Sequence, residues 1–421
     1  MKRILFSWGI LACLASSSCN KENSVAIDDP QGGSQIESIL LTKAEEGYVR
    51  TNNRFAWNLF RDISRGTEEN FVISPLSVTF TLGMIGNGAT GRTQEEINAV
   101  LGYGDIGIDA VNEFCHKMMD GTVNLDHRIE MMLANAAVID KDFPVKRSFI
   151  RNLKEFYLAE VFMPDFSDPE AVALINAWCS KHTRTLIPTL IEELAPNAQA
   201  CFLNAVHFKA PWTIKFDASE SAPAPFFDHT GTIKLCEVDM MHLCAEVELF
   251  ERETYTALEL DLGSRAFKMT FYLPDKGTTV DETIDVLLQE NNSPGKAERR
   301  LREVDIKLPR FETAFEADLN EPLKKLGMSS AFGTEGSFLN LADDPALYLG
   351  LVKQKAKITV DEAGAEAAAA TIGEMVEKGL HKLEFHANRP FLYTIRESGT
   401  SSLVFMGRYN GKDCNDKNDP L

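Results

Sequence analysis

The chain has 421 residues, of which 44% are hydrophobic and 25% charged, the composition of a soluble globular protein able to bury a large core. Its 43 basic residues against 62 acidic ones leave a net charge of −19. Such a field repels phosphate backbones, and without a basic stripe carrying interleaved aromatics nucleic acid is not expected as a partner.

The chain opens with MKRILFSWGILACLASSSC. Lys2 and Arg3 precede an apolar run from Ile4 to Leu14, and small residues then lead to Cys19. Charge, length and small-residue chemistry are those of a secretory signal. The small residues before a cysteine resemble a bacterial lipoprotein signal with Cys19 lipidated, although Ser16 stands where a larger aliphatic is usual. A plain secretory signal cleaved near Ser18 is the alternative. Residues 20–35 are polar and glycine-containing, so 20–44 is read as a flexible tether. No other run approaches the ~20 apolar residues of a membrane span. Membrane contact is therefore expected only through a lipid anchor, on a protein exported to the cell envelope or surface, or otherwise secreted.

Helical spacing marks 48–64, where Phe55, Leu59 and Ile63 recur. After the short apolar run at 71–73, Ser74-Pro75 reads as an N-cap with proline in the first turn, opening an apolar helix to about Gly86. Thr93 with Glu96 predicts a capping box for the next helix. Further helices are predicted near 146–157, 168–183, 280–290 and 318–327. Strands are predicted at 129–139, 199–209, 233–239, 245–250, 255–261, 266–273, 303–311, 347–360, 391–397 and 402–409. Helices dominate the first half and strands the second, an α+β pattern, without a linker that divides the chain or an internal repeat.

Few enzyme motifs survive inspection. GNGATG (Gly86–Gly91) matches GxGxxG but follows a helix instead of a strand, so it reads as a helix stop and turn. No GxSxG, HExxH or GxxxxGK[ST] occurs, and the chain is not expected to be an enzyme. The eight histidines show no metal-ligand spacing and the cysteines no CxxC, so neither a metal nor a cofactor is expected. Six cysteines lie outside the leader, at 115, 179, 201, 236, 244 and 414, scattered as buried thiols would be. A pairing of Cys236 with Cys244 stays open.

The most unusual stretch is DEAGAEAAAATIGEMVEKG, Asp361–Gly379. Lys355–Glu362 before it alternates as a strand, with Ile358 and Val360 on one parity. If the chain stays extended, one parity holds Ala365, Ala367, Ala369, Thr371, Gly373 and Met375, all small or apolar. The other holds Glu366, Ala368, Ala370, Ile372, Glu374 and Val376. As a helix the residues present no coherent apolar stripe, so period two fits better. An alanine-rich exposed helix or linker remains the other reading of this segment alone.

Several segments in order resemble the serpins, a family of protease inhibitors. These are FVISPLSVTFTLGMIGNGATGRTQEEI (71–97), CFLNAVHFKAPWTIKF (201–216), FYLPDKG (271–277), LKKLGMSSAF (323–332) and NRPFLYTIRESGTSSLVFMGRYN (388–410). The resemblance covers about 45–411 and implies one domain there, helices packed around three β-sheets, and a mobile, exposed reactive-centre loop at about 362–386, followed by a tail at 412–421. It implies a hinge at Glu362, Gly364, Ala365, Glu366, Ala367, Ala368 and Ala369, small as in inhibitory members. It implies a sheet-opening region of Ser74, Ser77, Asn204 and Trp212, with Gln354 where a histidine is usual, and an Arg310–Glu362 ion pair. Counting along the loop from Glu362 puts the reactive bond at Lys378-Gly379, and counting back from Asn388 puts it one residue later. Cleavage after Met375 or Val376 is the alternative.

The implied activity is that of a suicide substrate, whose loop enters its own sheet after cleavage and traps the acyl-enzyme. The implied partners are serine proteases, trypsin-like by the lysine, with elastase-like, chymotrypsin-like and cysteine proteases as alternatives, and the inhibitor is expected to be a monomer. A non-inhibitory member acting as a binding or chaperone module is the competing expectation.

Overall fold

The computed structural model describes residues 38–194, 199–289, 301–343, 347–362 and 383–411. The leader, most of the tether, the loop positions 363–382 and the tail lie outside them. The first helix begins earlier than expected. Thr42 and Glu45 form a reciprocal capping box, so α1 spans Lys43–Ser64, and Ile39 ahead of it is already buried. The tether therefore ends before residue 44. β1 (Phe71–Ile73) leads into α2 (Pro75–Gly86), whose Ser74 cap accepts from the Ser77 amide. Every residue of α2 is buried, the fate of a helix that is apolar on all sides. Gly86–Gly91 is the stop and turn into α3 (Gly91–Leu101).

Thr93 and Glu96 do not cap that helix, which starts two residues upstream of Thr93. Glu96 instead accepts from the backbone and hydroxyl of Ser330, at 2.9 and 2.8 Å, and Thr93 bonds the same hydroxyl. α4 (Ile108–Asn124) was not anticipated, and α5 (Arg147–Phe156) and α6 (Glu170–His182) complete the helices of the first half. α7 (Val280–Gln289) and α8 (Asn320–Leu326) lie among the later strands.

Five strands form one sheet in the order β10 (Phe311–Asp318), β11 (Leu351–Val360), β4 (Ala200–Lys209), β2 (Glu130–Ile139) and β3 (Glu160–Phe162). β11 runs antiparallel to β10 but parallel to β4, in register from Leu351↔Cys201 to Ile358↔Phe208. Period-two alternation is complete along β11: Val352, Gln354, Ala356, Ile358 and Val360 are buried. Lys353 and Lys357 point outward and pair with Glu316 and Glu312 of β10.

The remaining strands are connected through β6 (Lys234–Glu251), which joins two segments expected to be separate. Its early residues pair with β5 (Ala222–Phe227), its middle with β9 (Leu301–Pro309), and its end with β7 (Tyr255–Leu262). One sheet is thus β5-β6-β9, with β12 (Leu383–His386) parallel on the edge of β9. The other continues through β7, β8 (Phe267–Pro274), β13 (Phe391–Glu397) and β14 (Leu403–Tyr409) to β1. With the five-stranded sheet this makes the three-sheet α+β architecture. Pro223 and Pro225 sit in β5, an edge strand, where a missing N–H costs no ladder bond.

Cys236 and Cys244 occupy the same strand. Eight positions at ~3.3 Å per residue hold them some 26 Å apart, far beyond disulfide reach. Cys236 is disulfide-bonded, Cys244 is an exposed thiol, and Cys115, Cys179 and Cys201 are buried thiols.

The sheets close over an aromatic core. Phe311 stacks on Tyr409 at 4.8 Å, Phe391 on Tyr409 at 5.4 Å, and Phe271 bridges Phe391 to Trp212 at 5.9 and 6.3 Å. Gly407 on β14 lets the Tyr393 ring lie flat against the backbone, since a Cβ there would meet the ring within 2.2 Å. Gly407→Ala is expected to cost about 2 kcal/mol or more by overpacking, read as a lower urea midpoint with an unchanged slope.

Candidate functional site

Two polar constellations occupy β11. The first is at its middle. Register places Gln354 opposite Asn204, and Asn204 opposite Asn135, in one row across β11, β4 and β2. All three are on the buried face, and Gln354 is 1% exposed. The Gln354 amide donates to the Ser74 carbonyl at 3.0 Å and to Asn204 Oδ1 at 3.2 Å, and its oxygen accepts from the Ser74 amide at 2.9 Å. Asn204 Nδ2 donates to Asn135 Oδ1 at 2.9 Å, and Asn135 Nδ2 to the Tyr157 carbonyl at 3.0 Å. From below, the Ser74 hydroxyl donates to the Val404 carbonyl at 2.7 Å and lies 3.0 Å from Ser77 Oγ. The cap of a buried helix, the middle of the sheet and a strand of the second sheet are thereby joined. An amide satisfies both groups of the Ser74 peptide without titrating, so this junction keeps one charge state at every physiological pH.

The second constellation closes the end of β11. Asp361 and Glu362 follow Val360, and the Trp212 indole N–H donates to the Asp361 carbonyl at 2.8 Å. Trp212 is 4% exposed and packs on Phe216 and Phe271. Glu362 is 6% exposed although it carries a carboxylate. The Ser221 hydroxyl donates to its Oε1 at 2.7 Å, and Arg310 Nη1 lies 3.5 Å from its Oε2. Arg310 is not dedicated to Glu362, because its Nη2 makes a shorter contact of 2.6 Å with Asp239. The hydrogen bond to Asp239, ahead of the charge of Glu362 and against partial burial, pushes Arg310 up from its ordinary range. A cavity of about 480 Å³ opens beside these groups, lined among others by Val238, Arg310, Phe311, Val360 and Tyr409.

The structure therefore brings Ser74, Ser77, Asn204 and Gln354 together at the middle of β11 and Trp212, Arg310 and Glu362 at its end. Gly364, Ala365, Glu366, Ala367, Ala368, Ala369, Met375, Val376, Lys378 and Gly379, like Cys19, lie outside the described residues. Sequence reasoning missed Asn135, Ser221 and Asp239. Asn135 was detectable as the one amide in the apolar run EMMLANAAVI, whereas Ser221 and Asp239 carried no local signal.

The family model described as Serpin (serine protease inhibitor) matches residues 50–411. Among curated relatives, Serpin A3-3 of Bos taurus is 30% identical over 415 residues, covering 96% of this chain and 96% of its own length. Among solved structures, the Arabidopsis AtSerpin1 in its native stressed conformation is 27% identical with a TM-score of 0.77, over 88% of this chain and 98% of its own. Human thyroxine-binding globulin complexed with thyroxine also aligns at 27% identity and a TM-score of 0.77, over 87% and 98%. The family description is that of a serine protease inhibitor, with which the expectation that the chain is not an enzyme is consistent.

Replacing Gln354 by Ala removes three hydrogen bonds and leaves the buried Ser74 N–H without its partner, while the Ser74 carbonyl keeps only the Val78 amide. A loss of ~2–4 kcal/mol is expected in urea denaturation. Gln354→His is expected to add a pH dependence to the unfolding midpoint that the native protein lacks at this position.

Proposed function

The chain belongs to the serpin family, and from that premise we propose that it is an inhibitor of serine proteases that acts as a suicide substrate. The observation that carries the reading is the end of β11. Glu362 is held at the lip of the sheet by Ser221 and Arg310, and β11 leaves that lip with a parallel neighbour, β4, at its side. Parallel ladders are slightly weaker per residue than antiparallel ones. A strand that turned back from Glu362 and entered between β11 and β4 would run antiparallel to both. The small parity of Ala365, Ala367, Ala369, Thr371 and Gly373 suits the buried face of such a strand.

The chemistry follows in steps. A protease serine attacks the Lys378 carbonyl, an ester forms between them, and the amine of Gly379 leaves. A trypsin-like pocket, with a carboxylate for a cationic side chain, accepts Lys378; Met375 and Val376 are the alternative bonds for chymotrypsin- or elastase-like enzymes. Insertion of the freed loop is the family's recognised form of strand addition and strain release. About 15 residues at ~3.3 Å each carry the bound protease some 50 Å. Around ten net hydrogen bonds at ~1 kcal/mol each supply ~10 kcal/mol, comparable with the whole stability of an ordinary domain, ~5–15 kcal/mol. That suffices to distort the captured active site before the ester is hydrolysed. The leader chemistry and the disulfide at Cys236 support an exported protein in an oxidising compartment, with Cys19 as its lipid anchor.

The likeness to thyroxine-binding globulin supports a second reading, a binding module whose loop does not trap proteases. Mixing the protein with trypsin, elastase, chymotrypsin and a cysteine protease separates the two. The inhibitor reading expects an SDS-stable complex with at least one of them, and cleavage without a complex throughout would overturn it. Ala365→Arg or Ala367→Arg puts charge on the buried parity and is expected to turn the inhibitor into a substrate, with complex yield reduced at least tenfold. Mass spectrometry of the C-terminal peptide released by trypsin is expected to begin at Gly379; a different first residue would move the reactive bond.

A further inference from the structure

Cys236 of β6 is disulfide-bonded, yet the other cysteines among the described residues, Cys115, Cys179, Cys201 and Cys244, are all free thiols. Cys13 and Cys19 of the leader and Cys414 of the tail remain as partners. The described chain ends beside the bonded sulfur. Cys236 Sγ lies 3.3 Å from the Gly411 carbonyl oxygen, and Gly411 is itself buried. Lys412 and Asp413 alone separate it from Cys414, so chain length confines Cys414 to within ~10 Å of Gly411. A disulfide needs its two Cα atoms about 4.4–6.8 Å apart, inside that reach.

The leader starts from the other end of β14. Ser38 lies against Gly399, in the turn that precedes β14, whereas Gly411 follows its last residue. To reach Cys236, Cys19 would have to pass the length of that strand on a polar tether several times longer than the segment from Gly411 to Cys414. The shorter segment closes at the lower entropic cost. Cys13 sits in the apolar run of the leader and would leave with it on export.

The backbone delivers the tail to the same sulfur. Cys236 and Phe226 are cross-strand partners on β6 and β5, and the Phe226 ring packs edge-on to Tyr409 at 5.4 Å. Asn410 is pinned, its backbone N–H donating to Asn70 Oδ1 at 2.6 Å and its side-chain amide to the Glu68 carbonyl at 2.8 Å. Gly411 then adopts φ +74°, and a Cβ there would meet the Phe226 ring at 2.5 Å. Glycine alone combines that left-handed turn with so close an approach.

We propose that Cys236 and Cys414 form a disulfide that staples the C-terminal tail to β6. The bond forms by thiol–disulfide exchange with an external disulfide, either glutathione disulfide or a disulfide oxidoreductase. One of the two cysteine thiolates attacks that disulfide, forming a mixed disulfide and expelling one thiolate. The second cysteine thiolate displaces the other half. Two protein thiols are thereby oxidised, one external disulfide is reduced to two thiols, and the protons of the cysteines pass to them.

The staple changes what a cut loop releases. β12, β13 and β14 all lie between Lys378 and Cys414. After a cut at Lys378-Gly379 they would otherwise be held by packing and ladder bonds alone. With the staple, 379–421 stays joined to β6, and the cut molecule remains one covalent unit until it is reduced. This consequence rests on the reactive bond of the inhibitor reading, whereas the disulfide itself does not.

Peptide mapping of the full chain tests the pairing. The protein is equilibrated with oxidised glutathione, denatured with N-ethylmaleimide present and digested with trypsin without reductant. Leu235–Arg252 is expected linked to Asp413–Lys417, with the maleimide on Cys244, and the pair is expected to separate on reduction. Maleimide on Cys236 or Cys414, a link from Cys236 to Cys19, or a disulfide dimer on a non-reducing gel overturns the proposal. After brief treatment of the folded protein with trypsin, the C-terminal fragment is expected to leave in SDS only when reductant is added. Cys414→Ser is expected to release about tenfold more of it without reductant; equal release overturns the staple. A linked pair without a cut after Lys378 would support the staple and remove the reactive-bond assignment. A cut after Lys378 with maleimide on Cys414 would remove only the staple.

Discussion

The parallel contact between β11 and β4 is the constraint from which the rest of the molecule is arranged. Its middle is held by amide side chains, Gln354 and Asn204, where an apolar strand would place aliphatics. Such a row is strong while every member is satisfied and costly once one partner is withdrawn, because the low-dielectric interior amplifies both cases. Ser74 makes the row dependent on α2, and Asn135 makes it dependent on β2. Separating the two strands would thus disturb the helix cap, the sheet and the contact to the Tyr157 backbone together.

The same strand ends in a buried acid. A carboxylate at the exposure of Glu362 is tolerated only with a positive charge and hydrogen-bond donors close by. Ser221 supplies the close donor, while Arg310 divides its guanidinium with Asp239. The result is a firmly held end to β11, reached by contacts from Ser221 just ahead of β5 and from Arg310 between β9 and β10. None of those contacts is local in sequence.

Legibility differed in kind along the chain. β11 was readable because its alternation is complete and its outward positions are lysines. α2 was readable from Ser74-Pro75 and its apolar run. β10 was overlooked although FETAFEAD alternates just as well, because the prediction assigned its start to β9 and its end to a helix. β6 was divided because its central residues do not alternate: Met240 and Met241 are buried in succession, and His242, Leu243 and Cys244 after them are not buried. Thr93 and Glu96 have the spacing of a cap, but their side chains are claimed by Ser330, more than two hundred positions away, a competition that no local rule can register.

By itself the sequence determined the α+β class, the family, the buried parity of β11 with Gln354 upon it, and the small parity of the segment after Glu362. Each of these is written in spacing or in residue type, which are properties of neighbouring positions. Only the tertiary structure decided that Asn135 completes the amide row, that Arg310 is shared between Asp239 and Glu362, and that Cys236 and Cys244 stand apart on one strand. Those pairings depend on which strands become neighbours and in which register, and register is settled by the packing of the whole core.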